Sequence, residues 1–169
     1  MSDYVLRLLD PTTDSDLYRE AYHWRSTPKR HAQPDRMPLK TFTADDPRHL
    51  TIGLFNGELQ AVYFLHETEP GDFQCHFTSQ RNVPRGPVLE GARLTAQLLL
   101  ENGATQLHAW VTERNRPLRQ FLTDLGFVDT DRQQFPCQND TDGGRLPVEG
   151  NQPSKTFVKY VLKGESPSG

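Results

Sequence analysis

The stretch from Gln106 to Phe127 permits few folds, because it reads as a two-faced strand, a capped turn and a short amphipathic helix stopped by glycine. Over residues 107–112, Leu107, Ala109 and Val111 alternate with His108, Trp110 and Thr112, the period of a strand. Asn115 fits an N-cap, since its side-chain oxygen can accept from an orphan first-turn amide, and Pro117 falls where a missing N–H costs least. Leu118, Phe121, Leu122 and Leu125 then recur as one apolar stripe, and Gly126 can take the left-handed conformation that ends a helix.

A longer helix is predicted over residues 88–101, where Val88, Ala92, Ala96 and Leu99 form a row that Leu89, Leu98 and Leu100 widen, and Gly103 closes it. In front of it lies SQRNVPRGP, residues 79–87, a basic turn rich in breakers that follows the strand-like FQCHFTS of residues 73–79. Residues 4–9 read as a strand and residues 15–24 as a helix capped at Asp14 or Ser15, after which Pro28, Pro34 and Pro38 break any regular pattern. Strands over 50–55 and 59–66 flank Asn56-Gly57, the strongest short-range signal for a tight hairpin. The second is apolar on both faces, Leu59, Ala61, Tyr63 and Leu65 against Val62 and Phe64, as expected of a strand covered on both sides and central in its sheet. A strand from Phe127 to about Gln134, a breaker-rich loop over 135–154 and a last strand over 155–163 complete the order. The expected fold is α/β (α+β): one domain over residues 1–163, a mixed sheet flanked by helices on both faces, and a flexible tail over 164–169.

Composition removes several classes of function. A net charge of −3 over 169 residues offers no global field for nucleic acid. The patch KRHAQPDR, residues 29–36, is locally basic but carries no interleaved aromatics, so a solvated loop explains it better than a nucleic-acid site. Cys75 and Cys137 are too few for a disulfide framework and lack metal-ligand spacing, so no metal is expected and a reducing cytoplasm is the simplest setting. No run of apolar residues is long enough to span a membrane, and the N-terminus has no signal-peptide pattern.

Together, the basic turn RNVPRG at residues 81–86 and the Asn115…Gly126-Phe127 element resemble the two signatures of the GNAT superfamily of acyl-CoA-dependent N-acyltransferases. The family's turn, Arg/Gln-x-x-Gly-x-Gly/Ala, opens the helix that cradles the coenzyme A pyrophosphate; here Pro84 replaces its first glycine and Pro87 follows the second. Asn115, Gly126 and Phe127 match the second signature residue by residue, and the resemblance extends as topology over nearly the whole chain. The turn and the helix NRPLRQFLTDLGF are also similar to those of phage-encoded acetyltransferase-like proteins.

The resemblance implies transfer of an acetyl group from acetyl-CoA to an amine of a small molecule or protein, directly and in a ternary complex. Arg81, Arg85 and Gly86 would hold the pyrophosphate, the two arginines carrying more of the attraction because Pro87 lacks an amide. Backbone groups near His76, Phe77 and Thr78 would pair with the pantetheine arm, and Asn115 would meet it from the other side. Many members carry a tyrosine five positions before the Phe of Gly-Phe to protonate the leaving thiolate; this chain has Leu122. Candidate bases are Glu113, His76 and His108, with Glu67 weaker. Each has a plainer explanation: strand histidines are more often structural, and a glutamate before a helix favours its dipole. Acceptor choice would fall to residues 22–37 and 135–153, an edge strand or the latter loop could mediate a dimer, and a GNAT-like fold without turnover, serving as a protein-binding or virion-associated module, is the alternative.

Overall fold

Alternating apolar strands, joined by turns that only glycine enters easily, set the order of the sheet. The computed structural model describes residues 3–25, 48–136 and 154–164; the basic patch at 29–36, the segments 26–37 and 137–153 assigned to acceptor choice, Cys137 and residues 165–169 lie outside them. The elements are β1 (Val5–Leu8), α1 (Ser15–Arg25), β2 (His49–Asn56), β3 (Glu58–Glu69), β4 (Asp72–Ser79), α2 (Arg85–Glu101), β5 (Gln106–Thr112), α3 (Arg116–Asp124), β6 (Val128–Pro136) and β7 (Ser154–Lys163). They form one seven-stranded sheet in the order β1-β2-β3-β4-β5-β7-β6. Every neighbouring pair is antiparallel except β4 and β5, which are parallel and joined by α2 as the crossover such a pair requires.

Helices cover both faces, as the sequence leads one to expect. On one, Ile52, Leu54, Tyr63 and Leu65 of the first hairpin join Leu107, Ala109 and Val111 of β5 beneath Val88, Ala96 and Leu99 of α2 and Phe121 and Leu122 of α3. On the other, Leu59, Val62 and Phe64 of β3 pack with Leu9 and with Ala21 of α1. Gly57, at φ +73°, makes the hairpin turn.

Three details differ from the sequence reading. Strict alternation put Leu59 with Ala61, Tyr63 and Leu65, whereas Leu59 lies with Val62 and Phe64. Leu54 pairs with Ala61 and Phe55 with Leu59, so Gln60 is an extra residue, and this bulge turns Leu59 to the α1 face. The bulge also anchors the end of β4, because the carbonyls of Gln60 and Leu59 accept from the Gln80 backbone amide (2.9 Å) and side-chain Nε2 (2.7 Å). Next, α2 starts at Arg85, three residues before the predicted Val88: Pro84 is its N-cap and Pro87 sits in the first turn, where proline is tolerated. Finally, the Asp14 carboxylate does not cap α1; it accepts from the Asp10 amide (2.7 Å) and from Arg7 (3.0 and 3.2 Å), tying β1 to the helix start.

Candidate active site

The parallel pair at the middle of the sheet separates. β4 and β5 are in register only at Asp72–Gln106, Phe73–Leu107 and Gln74–His108, although β4 runs on to Ser79 and β5 to Thr112. The closed end is pinned: the Gly71 carbonyl accepts from the amides of Thr105 (2.8 Å) and Gln106 (3.2 Å), with Gly71 itself at φ +81°. Beside it, one Asp72 carboxylate oxygen lies 2.6 Å from His108 Nδ1 and the other accepts from Gln106 Nε2 at 2.9 Å. Each strand is held on its outer edge, β4 by β3 and all of β5 by β7, so neither can swing across to close the gap. The facing backbone edges of residues 75–79 and 109–112 therefore make no ladder with each other.

Beneath the gap, between sheet and helices, lies a cavity of about 190 Å³. Cys75, His76 and Phe77 of β4 form one wall and Ala109, Trp110 and Val111 of β5 the other, and Asn115, Leu118, Phe121 and Leu122 of α3 roof it. Phe77 stacks on Phe121 with centroids 4.8 Å apart, and Tyr63 lies 6.5 Å from Phe77. The buried Tyr63 hydroxyl donates to the Val88 carbonyl at 2.7 Å and burial pushes its pKa up, so it stays protonated. Gly91 lets α2 approach that hydroxyl, because a Cβ there would stand 2.5 Å from it. Burial, reinforced by Asp72, pushes the Cys75 thiol up to about 12, which leaves it a neutral wall group as its apolar strand face predicts.

At the mouth is the N-terminus of α2. Pro84 makes no side-chain cap and the first turn has no acidic residue, so the Arg85 and Gly86 amides lie before the intrahelical ladder begins and offer an anion a positive dipole end. Gly86 has nothing within 4 Å of where a Cβ would be, which leaves the approach open, and Arg81 is exposed on the turn beside Asn82, whose φ is +68°. Arg85 is already engaged. It forms an ion pair with Asp124 of α3 and lies 5.9 Å over the Phe121 ring, so it bridges the two helices across the rim. Arg85, and then Gln120 at 2.9 Å, hold the Asp124 carboxyl below the usual carboxylate range.

Asn115 caps α3 as its sequence position predicts, its Oδ1 accepting from the Leu118 amide at 3.2 Å while the residue lines the cavity. At the far end, Gly126 at φ +96° lets its own amide and that of Phe127 return to the Thr123 and Leu122 carbonyls, both at 3.0 Å. The structure thus brings His76, Phe77 and Asn115 to one cavity, with Arg81, Arg85 and Gly86 at the adjoining helix end and the buried Thr78 on β4 between them. It does not bring Glu113 and His108 to that cavity. Glu113 is exposed past the end of β5, its carboxylate 3.6 Å from Arg132, and His108 is buried at the closed end against Asp72. Sequence reasoning missed Tyr63, Thr95 and Asp124. Thr95 interrupts the apolar row of its helix and was readable, whereas nothing in the sequence ties Asp124 to Arg85, 39 positions away.

Among the described residues no cluster of three or more His, Cys, Asp or Glu is placed to hold a metal ion, and no helix is long and apolar enough to cross a membrane. No family model matches the sequence, and no curated protein matches it. Solved structures do match. The ribosomal-protein-S18-alanine N-acetyltransferase from Escherichia coli is similar with a TM-score of 0.70 at 18% identity, over 96% of this chain and 95% of that one. A GNAT-family acetyltransferase from Streptococcus pneumoniae matches at 0.66 and 12% identity, over 95% and 99%. A Bacillus subtilis acetyltransferase solved in complex with CoA matches at 0.65 and 15% identity, over 95% and 98%. At these identities the likeness is one of fold: the chain has the GNAT acetyltransferase fold.

Proposed function

We propose that this protein is an acyl-CoA-dependent N-acyltransferase, which holds a coenzyme A thioester across the β4–β5 gap and passes the acyl group directly to an amine, with acetyl-CoA the simplest donor. The observation that carries the reading is a parallel strand pair that parts after three residue pairs beside an uncapped helix N-terminus. The two edges do not pair with each other beyond Gln74 and His108, and an extended arm of amides such as pantetheine, lying between them, would bridge them. The residues present fit such a group: Arg81 and the amides of Arg85 and Gly86 for phosphates, the edge at Phe77 and Thr78 for the arm, and Asn115 facing it. Coenzyme A thioesters supply an activated acyl carbon that a neutral amine can attack without an acylated enzyme.

What the chain contributes is alignment, exclusion of water and a route for one proton. Phe77, Phe121 and Leu122 give the cavity apolar walls that disfavour water. His76 is our candidate proton acceptor because it alone of the three bases borders the cavity; its pairing with Phe64 sets it on the α1 side of the sheet, so it would meet the reacting atoms through the gap. It takes the proton released as the carbon–nitrogen bond forms and returns it to the sulfur as the carbon–sulfur bond breaks, so that Leu122 need not donate. Glu113 and His108 could act only through intervening groups.

A second reading, a GNAT-like binding module without turnover, is favoured by Leu122 at the family's tyrosine position and by the occupation of Arg85 by Asp124. Thiol release from acetyl-CoA, followed against a panel of polyamines, amino-acid amides and peptide N-termini, separates the two. Amine-dependent release that His76→Gln reduces supports the enzyme. Absence of release from a folded sample that binds coenzyme A supports the module.

A further inference from the structure

We infer that the cavity behind the β4–β5 gap is an acyl-chain pocket, shaped for a donor whose acyl group has about four to eight carbons. The inference rests on reading the gap as a coenzyme A thioester site, and it names the class of donor.

The cavity runs deeper than an acetyl group needs. From the level of Phe77 and Val111 it continues to Leu107, which belongs to the paired, closed end of the strands, and to Leu125 and Phe127 beyond the end of α3. Four residues of strand separate Val111 from Leu107, about 13 Å at the usual rise. An acetyl group extends one carbon beyond its carbonyl and leaves most of that length empty. The cavity's volume, about 190 Å³, includes the part beside Phe77 and Asn115 that the arm would cross; since an apolar cavity of about 150 Å³ suffices for a six-carbon ring, the deeper part takes a short chain.

The α2 side shows that the space is built in. There the helix presents Ala92, Thr95 and Ala96, small side chains that share the cavity with Leu118 and Leu122 of α3 and with Leu125 at its C-cap. A core whose only task is to pack would fill such a layer, because a void forfeits the contacts of every atom that lines it. Thr95 is a separate indication. It is only 4% exposed, and its hydroxyl has no hydrogen-bond partner. A mid-helix threonine commonly bonds the carbonyl four residues back, here that of Gly91, and this one does not. Valine would have the same shape at no polar cost, so the hydroxyl is a donor waiting for a group that enters the cavity, the thioester end or an oxygen on the chain.

The test is calorimetric titration of the full chain with free coenzyme A and with its acetyl, butyryl, hexanoyl and octanoyl thioesters. Affinity should rise about fourfold per methylene from acetyl to hexanoyl and then level off. In Ala96→Leu that gain should vanish while free coenzyme A binds as to wild type; Ala92→Val, one turn earlier on α2, serves if the first variant does not fold. Equal affinity for the free, acetyl and hexanoyl forms overturns the acyl pocket alone. So does an Ala96→Leu variant that weakens free coenzyme A as much as the hexanoyl form, because the cavity would then hold the cofactor arm. Failure of every compound, free coenzyme A included, overturns the thioester site and the pocket with it.

Discussion

Gly91→Ala should destabilise this protein although it places a better helix former inside a helix. Alanine is favoured over glycine there by about 1 kcal/mol. Against this, the new Cβ would stand 2.5 Å from Tyr63 Oη, 3.2 Å from its Cζ and 3.3 Å from Leu54 Cδ1. Tyr63 cannot step aside cheaply: it is 4% exposed on a strand paired on both edges, and its hydroxyl is tied to the Val88 carbonyl at 2.7 Å. Overpacking costs about 1–3 kcal/mol and a contact of 2.5 Å belongs to the upper half of that range, about 2–3, so the net loss should be about 1–2 kcal/mol, or a fall in Tm of roughly 2–8 °C for a chain of this size. Tyr63→Phe alone should cost about 1 kcal/mol for the lost hydrogen bond. In the Tyr63→Phe background the 2.5 Å contact is gone, and Gly91→Ala should become neutral or mildly stabilising, a coupling of about 2 kcal/mol. Urea and thermal unfolding of the four proteins, with an unchanged denaturant slope, measure this cycle. If Gly91→Ala stabilises the protein with Tyr63 in place, α2 is not seated on that hydroxyl and the cavity wall is misplaced.

Thr95→Val should raise Tm by about 2–4 °C, because it removes an unsatisfied buried hydroxyl and keeps the shape; a lower Tm would mean that the hydroxyl has a partner. Asp124→Asn should release Arg85 and tighten coenzyme A binding severalfold at low ionic strength, with the gain fading in high salt; an unchanged or weakened affinity would show that Arg85 does not meet the phosphates. The same pair sets a pH dependence. The folded pKa of Asp124 is depressed by Arg85, so the ion pair's contribution is present above the ordinary carboxylate range and is lost as pH falls through the lowered folded value. Carbon NMR should place the Asp124 midpoint below that of an unpaired aspartate, and Arg85→Gln should move it up; a midpoint that does not move removes the argument.

Local signals in the sequence carried most of the fold. Alternation in residues 107–112, the Asn56-Gly57 hairpin and the Asn115 cap with its Gly126 stop are each encoded within one turn or strand, and each is present in the structure. Non-local features were less legible. The bulge at Gln60 follows from a register that only the neighbouring strand imposes, and it reversed the side on which Leu59 was placed. Treating prolines as breakers trimmed the first turn of α2, although Pro84 and Pro87 occupy the positions that a helix start accepts. At the site, the residue types for phosphate binding were readable from the basic turn, but the partner that occupies Arg85 comes from another helix. The separation of His76 from His108 could not be foreseen, since both are strand histidines and only the depth of the strand pairing distinguishes them.

On the proposed reading, coenzyme A binds in the gap between β4 and β5. That placement is tested most directly by following backbone amide NMR signals of the protein while free coenzyme A is added. Saturable shifts should be concentrated in residues 75–79 of β4, the turn and helix start at 81–86, and residues 109–118 across the gap. Shifts confined to β1, β6 or the outer face of α1, or a spectrum that does not change at all in millimolar coenzyme A, would contradict it.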